Sequence, residues 1–220
     1  MLVAEPLIAV HPTDDSPAAI AHAAALHRVQ YDAVDCLLGR RHPEFGGTEG
    51  MIDVIGLNYS PYNQWRPFEP PVAVDPEDQL PLRTLLLDAH GHYGRPLFVA
   101  ETGCEGDDRA LWFDMVMREV SAARGAGVPI EGVCLYPILD HPGWDDDRRC
   151  PNGLMCGYSA SPRVVHRPLA NAIAAWQRLE GAPPVVGYVA PGWRPRPESA
   201  HGEGPPAPAD VLGAVCAVAG

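Results

Sequence analysis

The chain has 220 residues, of which 46% are hydrophobic and 20% charged, so it is long and apolar enough to fold around a core of its own. Its 16 basic residues face 28 Asp and Glu, and the formal net charge of -12 argues against nucleic acid and anionic membranes as partners. Every basic side chain is arginine, which excludes chemistry that needs a lysine amine, such as a Schiff base.

Short apolar runs alternate with longer segments of helical period, a pattern typical of βα units that build a parallel sheet. The runs are apolar nearly throughout, as expected of strands covered on both faces. Four are found, at Leu2 to Val10, Ile52 to Leu57, Leu97 to Ala100 and Val133 to Ile138. The sequence therefore predicts an α/β fold of four consecutive βα units.

The first helical segment is predicted to run without a break from Pro17 to Arg40. Mostly apolar residues repeat every three or four positions from Ile20 to Leu38, which would place them on one buried stripe. Gly46-Gly47 is expected to stop the segment.

Three further helices are predicted after the later strands. The second follows Asp78, a candidate N-cap, and ends at Gly94. The third begins after Asp107 and Asp108, whose charges suit a helix N-terminus, and ends near Gly125. The fourth carries the apolar positions Leu169, Ile173 and Trp176.

The composition changes near the end of the fourth helix. From Gly181 the chain is rich in Pro, Ala and Gly and shows neither a helical nor a strand period. Residues 1–180 are therefore expected to form one domain, and residues 181–220 a disordered or polyproline-like tail.

Six cysteines are present, none of them in a C-x-x-C pair, so neither a zinc ribbon nor a thioredoxin motif is expected. The first residues show no charged region followed by a long apolar core, and no stretch reaches the roughly 18 apolar residues of a membrane span. The sequence thus predicts a cytoplasmic protein with reduced thiols and no membrane contact.

Polar and aromatic residues cluster at the ends of the predicted strands, the edge at which parallel α/β folds bind their ligands. Amides bind hydroxyl groups and flat rings stack on sugar C–H faces, so these residue types favour a sugar site. They are Glu5 and His11 around the first strand, Asn58, Tyr59, Tyr62, Asn63, Gln64 and Trp65 after the second, Glu101 after the third, and Tyr136, Asp140, His141 and Trp144 after the fourth.

Three of these strand ends resemble a known superfamily, the retaining glycoside hydrolase TIM barrels that include β-glucosidases, 6-phospho-β-glucosidases and β-galactosidase-like enzymes. The resembling stretches are residues 53–59 with 63–65, 96–103 and 132–140. The resemblance covers residues 1–180 and implies a partial TIM barrel, corresponding to the C-terminal half with the last four βα units of the barrel.

The resemblance also implies an activity, the hydrolysis of O-glycosidic bonds by double displacement without a cofactor or a metal. It assigns Glu101 as the nucleophile, with Asn58 and Tyr59 orienting it. Glu5 is implied to be a binding or structural element at the first strand. The remaining residues are implied to shape the sugar pocket, namely Tyr62, Asn63, Trp65, Tyr136 and Trp144.

One departure from the superfamily concerns the second carboxyl group. A retaining enzyme needs an acid/base beside its nucleophile, and in the superfamily this group follows an Asn at the end of strand four. The chain resembles only strands five to eight, and it contains no Asn-Glu dipeptide. The isolated chain is therefore expected to be inactive or weak, because general acid assistance contributes on the order of 10² to 10⁴ in rate.

For several of these residues, a purely structural role is an alternative to the functional one. Glu101 could cap the following helix or pair with an arginine. Asn58 and Tyr59 could serve in hydrogen bonding at the strand end, and Trp65 and Trp144 could pack under a long loop.

Two other functions also fit the sequence. A non-catalytic carbohydrate-binding or scaffold half-barrel would associate with itself or with a partner chain through its open strand edges. A metal-dependent TIM-barrel hydrolase would use His11, Asp140 and His141 as ligands.

Overall fold

The structure is a computed structural model that describes residues 1–143, 147–157, 162–179 and 216–218. Its strands are β1 (Leu2–Pro6), β2 (Ala9–Val10), β3 (Val54–Tyr59), β4 (Gln64–Arg66), β5 (Val72–Ala73), β6 (Leu97–Thr102), β7 (Ile130–Leu135), β8 (His141–Pro142), β9 (Arg149–Cys150), β10 (Met155–Cys156), β11 (Val164–Val165) and β12 (Cys216–Val218). Its α-helices are α1 (Pro17–Val29), α2 (Asp32–Leu37), α3 (Leu82–Tyr93), α4 (Arg109–Gly125) and α5 (Arg167–Leu179).

The centre of the fold is a parallel sheet in which β1, β3, β6 and β7 are neighbours in that order. Each of these strands comes from one predicted apolar run, so the prediction of four consecutive βα units is confirmed. β3 and β6 extend beyond the predicted runs to include Asn58, Tyr59, Glu101 and Thr102. The polar ends of these runs therefore belong to the strands themselves, which fixes their side chains relative to the sheet.

The first predicted strand, Leu2 to Val10, is divided into two. β1 ends at Pro6, and Ala9–Val10 forms β2 in a second sheet with β4 and β5. The backbone N–H of Leu7 donates to the Asn58 carbonyl oxygen at 2.9 Å, whereas that of Ala9 donates to the Asn63 carbonyl oxygen at 3.0 Å. The chain thus leaves the main sheet after Pro6. Since Leu7 and Ala9 are both buried, the apolar run gives no sign of this break.

The first predicted helix is likewise two helices rather than one. Between α1 and α2, the Gln30 side chain accepts a hydrogen bond from the Ile8 N–H at 2.9 Å and donates one to the His27 carbonyl oxygen at 2.8 Å. Gln30 therefore ties the end of α1 to the β1–β2 connection, and the direction of the chain changes there. The predicted stripe is buried only in its second half, since Ile20 is 50% exposed and Val34 is fully buried.

Two predicted helix ends also differ from the structure. Asp78 does not cap α3, because it lies in a short 3₁₀ turn and the helix begins after Pro81. The chain already leaves α2 at Gly39, whose φ of 72° favours glycine, ahead of the predicted stop at Gly46-Gly47. Gly94 ends α3 as predicted, with a φ of 63°.

The hydrophobic core lies between one face of the main sheet and the helices. Ile55, Leu57 and Val99 are buried on the sheet side, and Leu86 and Val116 are buried on the helix side. Burial of each such side chain contributes about 1.5–3 kcal/mol to folding. This face of the sheet therefore packs against the helices and stabilises the fold.

The opposite face of the sheet carries small residues and is partly open. A Cβ at Gly56 would lie 3.1 Å from the Ala4 Cβ and 3.2 Å from the Ala100 Cβ, so these three residues lie side by side. On β1 this face is exposed at Ala4 and at Leu2, which is 49% exposed. Asn58 follows Gly56 by two positions on β3 and so projects to the same open side.

Three residues of the predicted tail, Cys216–Val218, form β12 and pair antiparallel with β7. The other residues of 181–220 lie outside the described part of the chain, and for them the tail stays a prediction. Within the described residues, no helix combines the length and the apolar character needed to cross a membrane.

Candidate active site

A cleft of about 550 Å³ opens at the carboxyl ends of β3, β6 and β7. Its walls come from the loops that follow these strands. The residues that line it include Asn58, Glu101, Cys104, Glu105, His141 and Asn152. The cleft is therefore at the strand edge at which the sequence predicts a site.

Glu101 lies near the end of β6 with its side chain exposed in the cleft. β6 contains one extra residue here, because Leu57 pairs with Val99 and Asn58 pairs with Glu101. The Glu101 carboxylate has neither a hydrogen bond nor an ion pair with any residue that the structure describes, and α4 begins eight residues later without a side-chain cap. Within the described part of the chain, Glu101 therefore neither caps a helix nor pairs with an arginine.

Asn58 lies beside Glu101 across the β3–β6 pair. Its backbone carbonyl accepts hydrogen bonds from the Leu7 N–H at 2.9 Å and from Asn63 Nδ2 at 3.1 Å. Its side-chain Oδ1 is buried and has no hydrogen-bond partner in the described chain. A buried polar atom without a partner costs free energy, so a ligand that donates a hydrogen bond here would be favoured.

Tyr59 is among the residues that line the cleft, but its side chain is turned into the helix layer. Its side chain is 3% exposed and its ring stacks on Trp112 of α4, with the ring centroids 5.5 Å apart. Its hydroxyl accepts a hydrogen bond from Gln64 Nε2 at 3.0 Å, and burial raises its pKa. Tyr59 therefore packs in the helix layer, and the structural explanation fits it.

Asn63 and Gln64 hold the loop after β3 in place. Asn63 Nδ2 also donates to the Leu7 carbonyl oxygen at 2.9 Å. The fully buried Gln64 donates to the Leu80 carbonyl oxygen at 2.8 Å and accepts from the Leu80 N–H at 2.9 Å and from His11 Nε2 at 2.9 Å. Both amides are thus engaged within the protein, although Asn63 also lines the cleft.

The predicted aromatic residues are only partly brought together. Tyr62 and Tyr136 line the cleft and are 75% and 38% exposed. Trp65 lies in β4 between β2 and β5 and is not among the residues that line the cleft. Trp144 lies outside the described residues. Of the aromatic residues predicted to stack on a sugar, Tyr62 and Tyr136 are thus the two that line the described cleft.

Glu5 lies in β1 opposite Leu57 and does not line the cleft. It is near the helix layer, because its carboxylate contributes, after burial and the charges of Asp35 and Tyr31, to the raised pKa of Tyr93 in α3. Its position fits a structural element.

The glycine after Glu101 and Thr102 is required by a close approach. A Cβ at Gly103 would collide with the Tyr136 carbonyl oxygen. In the same region the Tyr136 N–H donates to the Thr102 carbonyl oxygen at 2.9 Å. The glycine thus lets the ends of β6 and β7 lie against each other, which brings Tyr136 next to the Glu101 strand.

Asp140 serves as a structural anchor for the loop after β7. Its carboxylate accepts hydrogen bonds from the Gly153 N–H at 2.9 Å and the Gly157 N–H at 3.2 Å, and it lies 3.9 Å from Arg109 Nη1. Arg109 in turn donates to the carbonyl oxygens of Gly106 and Gly153, at 2.6 Å each. This buried clamp joins the loop after β6 to the loop after β7.

The proposed metal ligands do not converge. His11 is bonded to Gln64 and Asp140 is held in the loop clamp, while His141 lines the cleft. Among the residues that the structure describes, no group of three or more His, Cys, Asp or Glu side chains is arranged to hold a metal ion.

Sequence reasoning missed an ion pair at the cleft. Arg148 donates to both carboxylate oxygens of Glu105, at 2.8 Å and 3.0 Å. This hydrogen bonding lowers the pKa of Glu105, which therefore stays ionised in the neutral range. The acidic and basic runs of the two loops were the only signal, and such runs are commonly solvated.

Cys104 lies in the cleft between Glu105 and the end of β6. Burial, with the charge of Asp108 adding, raises its pKa to about 11. The thiol is thus protonated at neutral pH and is a poor nucleophile.

Comparison with known proteins finds relatives by structure alone. No protein-family model and no curated protein sequence matches the chain. The solved structures that match include a β-glucosidase from Thermotoga maritima in complex with glucoimidazole, with a TM-score of 0.60 and 16% identity over 79% of this chain. The same organism's family 1 β-glucosidase with isofagomine lactam matches with a TM-score of 0.59 and 17% identity over 78% of this chain.

A hyperthermophilic β-glucosidase mutant that forms a dodecamer in its crystal matches with a TM-score of 0.61 and 16% identity over 77% of this chain. The chain has a glycoside hydrolase-like fold. It spans 50%, 49% and 42% of the lengths of these three β-glucosidases. The predicted partial TIM barrel is therefore confirmed, and at these identities the likeness shows the fold alone.

Proposed function

We propose that the cleft binds a sugar and that Glu101 is the nucleophile of a retaining β-glycosidase. The observation that carries the proposal is the Glu101 carboxylate, exposed at the end of a barrel strand and free of any described partner. Catalytic groups of TIM barrels lie at the carboxyl ends of the strands. The likeness to β-glucosidases supports a sugar as the ligand.

The chemistry begins with an attack by a Glu101 oxygen on the anomeric carbon. The bond from that carbon to the leaving oxygen breaks, and a glycosyl ester of Glu101 forms. Water then hydrolyses the ester, which returns the carboxylate and releases the sugar with its original configuration. Asn58, beside Glu101, supplies an acceptor for a sugar hydroxyl.

The leaving oxygen needs a proton, and the described cleft offers no carboxylic acid for it. The one further carboxylate among the residues that line the cleft is Glu105, which Arg148 keeps ionised. The proposal therefore assigns the acid/base to a part of the barrel that pairs with this chain. The open sheet face around Ala4 and Leu2 fits such a complement.

A substrate that needs no acid tests the assignment. Dinitrophenyl β-glycosides carry a leaving group that departs as a stable anion, so the chain should release dinitrophenol in a burst followed by slow turnover. Glu101→Gln should abolish the burst. Glu131→Gln is the matched control, because Glu131 is an exposed glutamate of β7 outside the cleft, and it should keep the burst. A burst of equal size in Glu101→Gln would refute the role of Glu101.

A second candidate is a non-catalytic carbohydrate-binding half-barrel. Besides Glu101, the described residues that line the cleft include one carboxyl group, Glu105, and Arg148 keeps it ionised. This favours the second candidate, since binding requires only the amides and tyrosines. Measuring sugar binding and the dinitrophenol burst on the same protein distinguishes the two functions. Calorimetric binding of methyl β-glycosides without a burst from any activated glycoside would favour this candidate over the nucleophile.

A further inference from the structure

We propose that Asn152, in the loop after β7, recognises one hydroxyl group of the bound sugar, so that it is a specificity-determining residue of the cleft. The inference rests on the proposed sugar-binding function and adds a contact to it. Asn152 lines the cleft together with Glu101 and Asn58. Its side-chain Oδ1 is buried and has no hydrogen-bond partner within the described residues.

The other end of the Asn152 amide is fixed by His141. Asn152 Nδ2 and His141 Nε2 are 3.0 Å apart, and His141 Nδ1 lies 2.6 Å from the Pro142 carbonyl oxygen. A carbonyl oxygen can only accept, so Nδ1 donates to it, and Nε2 accepts from the Asn152 Nδ2 that faces it. The Asn152 amide is thereby oriented with Nδ2 toward the imidazole and Oδ1 left as the acceptor.

The backbone that carries Asn152 is also held in place. The next residue, Gly153, donates its N–H to Asp140 Oδ1 at 2.9 Å and accepts from Arg109 Nη1 at 2.6 Å. A Cβ at Gly153 would collide with the backbone of Leu139 and Asp140, so the chain approaches too closely for any other residue. The acceptor is therefore preorganised, which lowers the entropic cost of binding a ligand to it.

The chemistry of the acceptor defines what it binds. A buried amide oxygen needs a donor, and Asn58 presents a second unpartnered Oδ1 in the same cleft. Ligand hydroxyl groups can donate to both, whereas a carboxylate or a phosphate dianion cannot. The pair therefore favours a neutral polyhydroxylated ring over an anionic ligand at these two positions.

The test measures the affinity of the full chain for methyl β-glucoside and for its analogues that each lack one hydroxyl. Asn152→Ala should weaken binding of the parent glycoside about fivefold to tenfold, the effect of one lost hydrogen bond. One deoxy analogue should bind the wild-type chain more weakly by a similar factor. That analogue should bind Asn152→Ala and the wild type equally, because the same contact is lost in both.

Two variants serve as controls. Asn171→Ala removes an exposed asparagine of α5 and should leave every affinity unchanged. Asn152→Asp keeps an acceptor at the same place, so it should still bind that one analogue more weakly than the parent glycoside. This variant replaces Asn152→Ala in the test if Asn152→Ala lowers the Tm.

The outcomes separate the inference from the proposed function. The inference alone would be overturned if the wild type binds methyl β-glucoside and Asn152→Ala binds it with an affinity within twofold of the wild type. In that case every deoxy analogue would also lose the same factor in both proteins. If the wild type binds neither methyl β-glucoside nor methyl β-galactoside, the proposed function is overturned and the inference with it.

Discussion

Asn58 and Glu101 are register partners across the β3–β6 pair, so an amide oxygen that lacks a donor lies next to a carboxylate that lacks a partner. Their positions follow from backbone pairing, in which residues opposite each other on adjacent strands project to the same side of the sheet. The fold thus brings an acceptor and the proposed nucleophile into one cleft.

The Asn58 side chain is expected to serve the ligand rather than the fold. Asn58→Ala should leave the free energy of unfolding within about 0.5 kcal/mol, because the buried Oδ1 has no hydrogen bond to lose. The dinitrophenol burst should be slowed by at least about tenfold, since a contact to the sugar is removed. Urea unfolding and stopped-flow kinetics on the same variant test both statements, and an unchanged burst would contradict the second.

Gln64 is expected to be a large contributor to stability. Gln64→Leu removes the partner of the part-buried Leu80 backbone groups and of the buried Tyr59 hydroxyl, and the predicted cost is about 3 kcal/mol. Gln79→Leu is the matched control, since Gln79 makes longer bonds of 3.1 Å and 3.4 Å, and it should cost about 1 kcal/mol. Similar urea midpoints for the two variants would show that the hydrogen bonds of the buried Gln64 are not important for stability.

The Arg109–Asp140 clamp is expected to control the loop after β7. Arg109→Met removes the buried guanidinium that donates to the Gly106 and Gly153 carbonyl oxygens and leaves Asp140 with the exposed Arg149, 3.5 Å away, as its remaining charged neighbour. The predicted cost is about 3 kcal/mol. Arg118→Met removes a 70% exposed partner of Asp114 and should change stability by less than about 0.5 kcal/mol. Proteolysis within residues 147–157 should accelerate only in Arg109→Met, and equal acceleration in both variants would argue against the clamp.

Cys104 provides a probe of the cleft through its raised pKa. Since its pKa of about 11 keeps the thiol protonated, alkylation by iodoacetamide should be slow at about pH 8. The rate should rise about tenfold per pH unit without reaching a plateau before pH reaches about 10, because the thiolate fraction is still growing there. Peptide mass spectrometry measures this rate, and a plateau near pH 8 would mean that burial does not raise the pKa.

The strand ends were predictable because parallel strands buried on both faces are apolar throughout, so the first polar residue marks the edge. Glu101 was found in this way. The sequence also held the signal for the burial of the Tyr59 side chain, since consecutive residues of a strand face opposite sides and Asn58 already faces the cleft. The alternation assigns Tyr59 to the helix layer.

Other features depend on contacts between distant parts of the chain. The division of the first helix depends on Gln30 reaching the β1–β2 connection, and no local pattern encodes that contact. Asn152 lies in a loop without periodicity, and its Asn-Gly dipeptide indicates only a turn. Its position in the cleft depends on the Arg109 and Asp140 clamp, which joins segments far apart in sequence.

The most direct measurement is covalent trapping of the glycosyl ester. A dinitrophenyl β-glucoside with fluorine in place of the hydroxyl next to the anomeric carbon should react with the chain without acid assistance, and the fluorine slows hydrolysis of the ester. Peptide mass spectrometry should find one sugar per chain, attached to Glu101, and none in Glu101→Gln. An adduct on another residue, or no adduct when the same protein binds the parent glycoside, would contradict the assignment of Glu101 as the nucleophile.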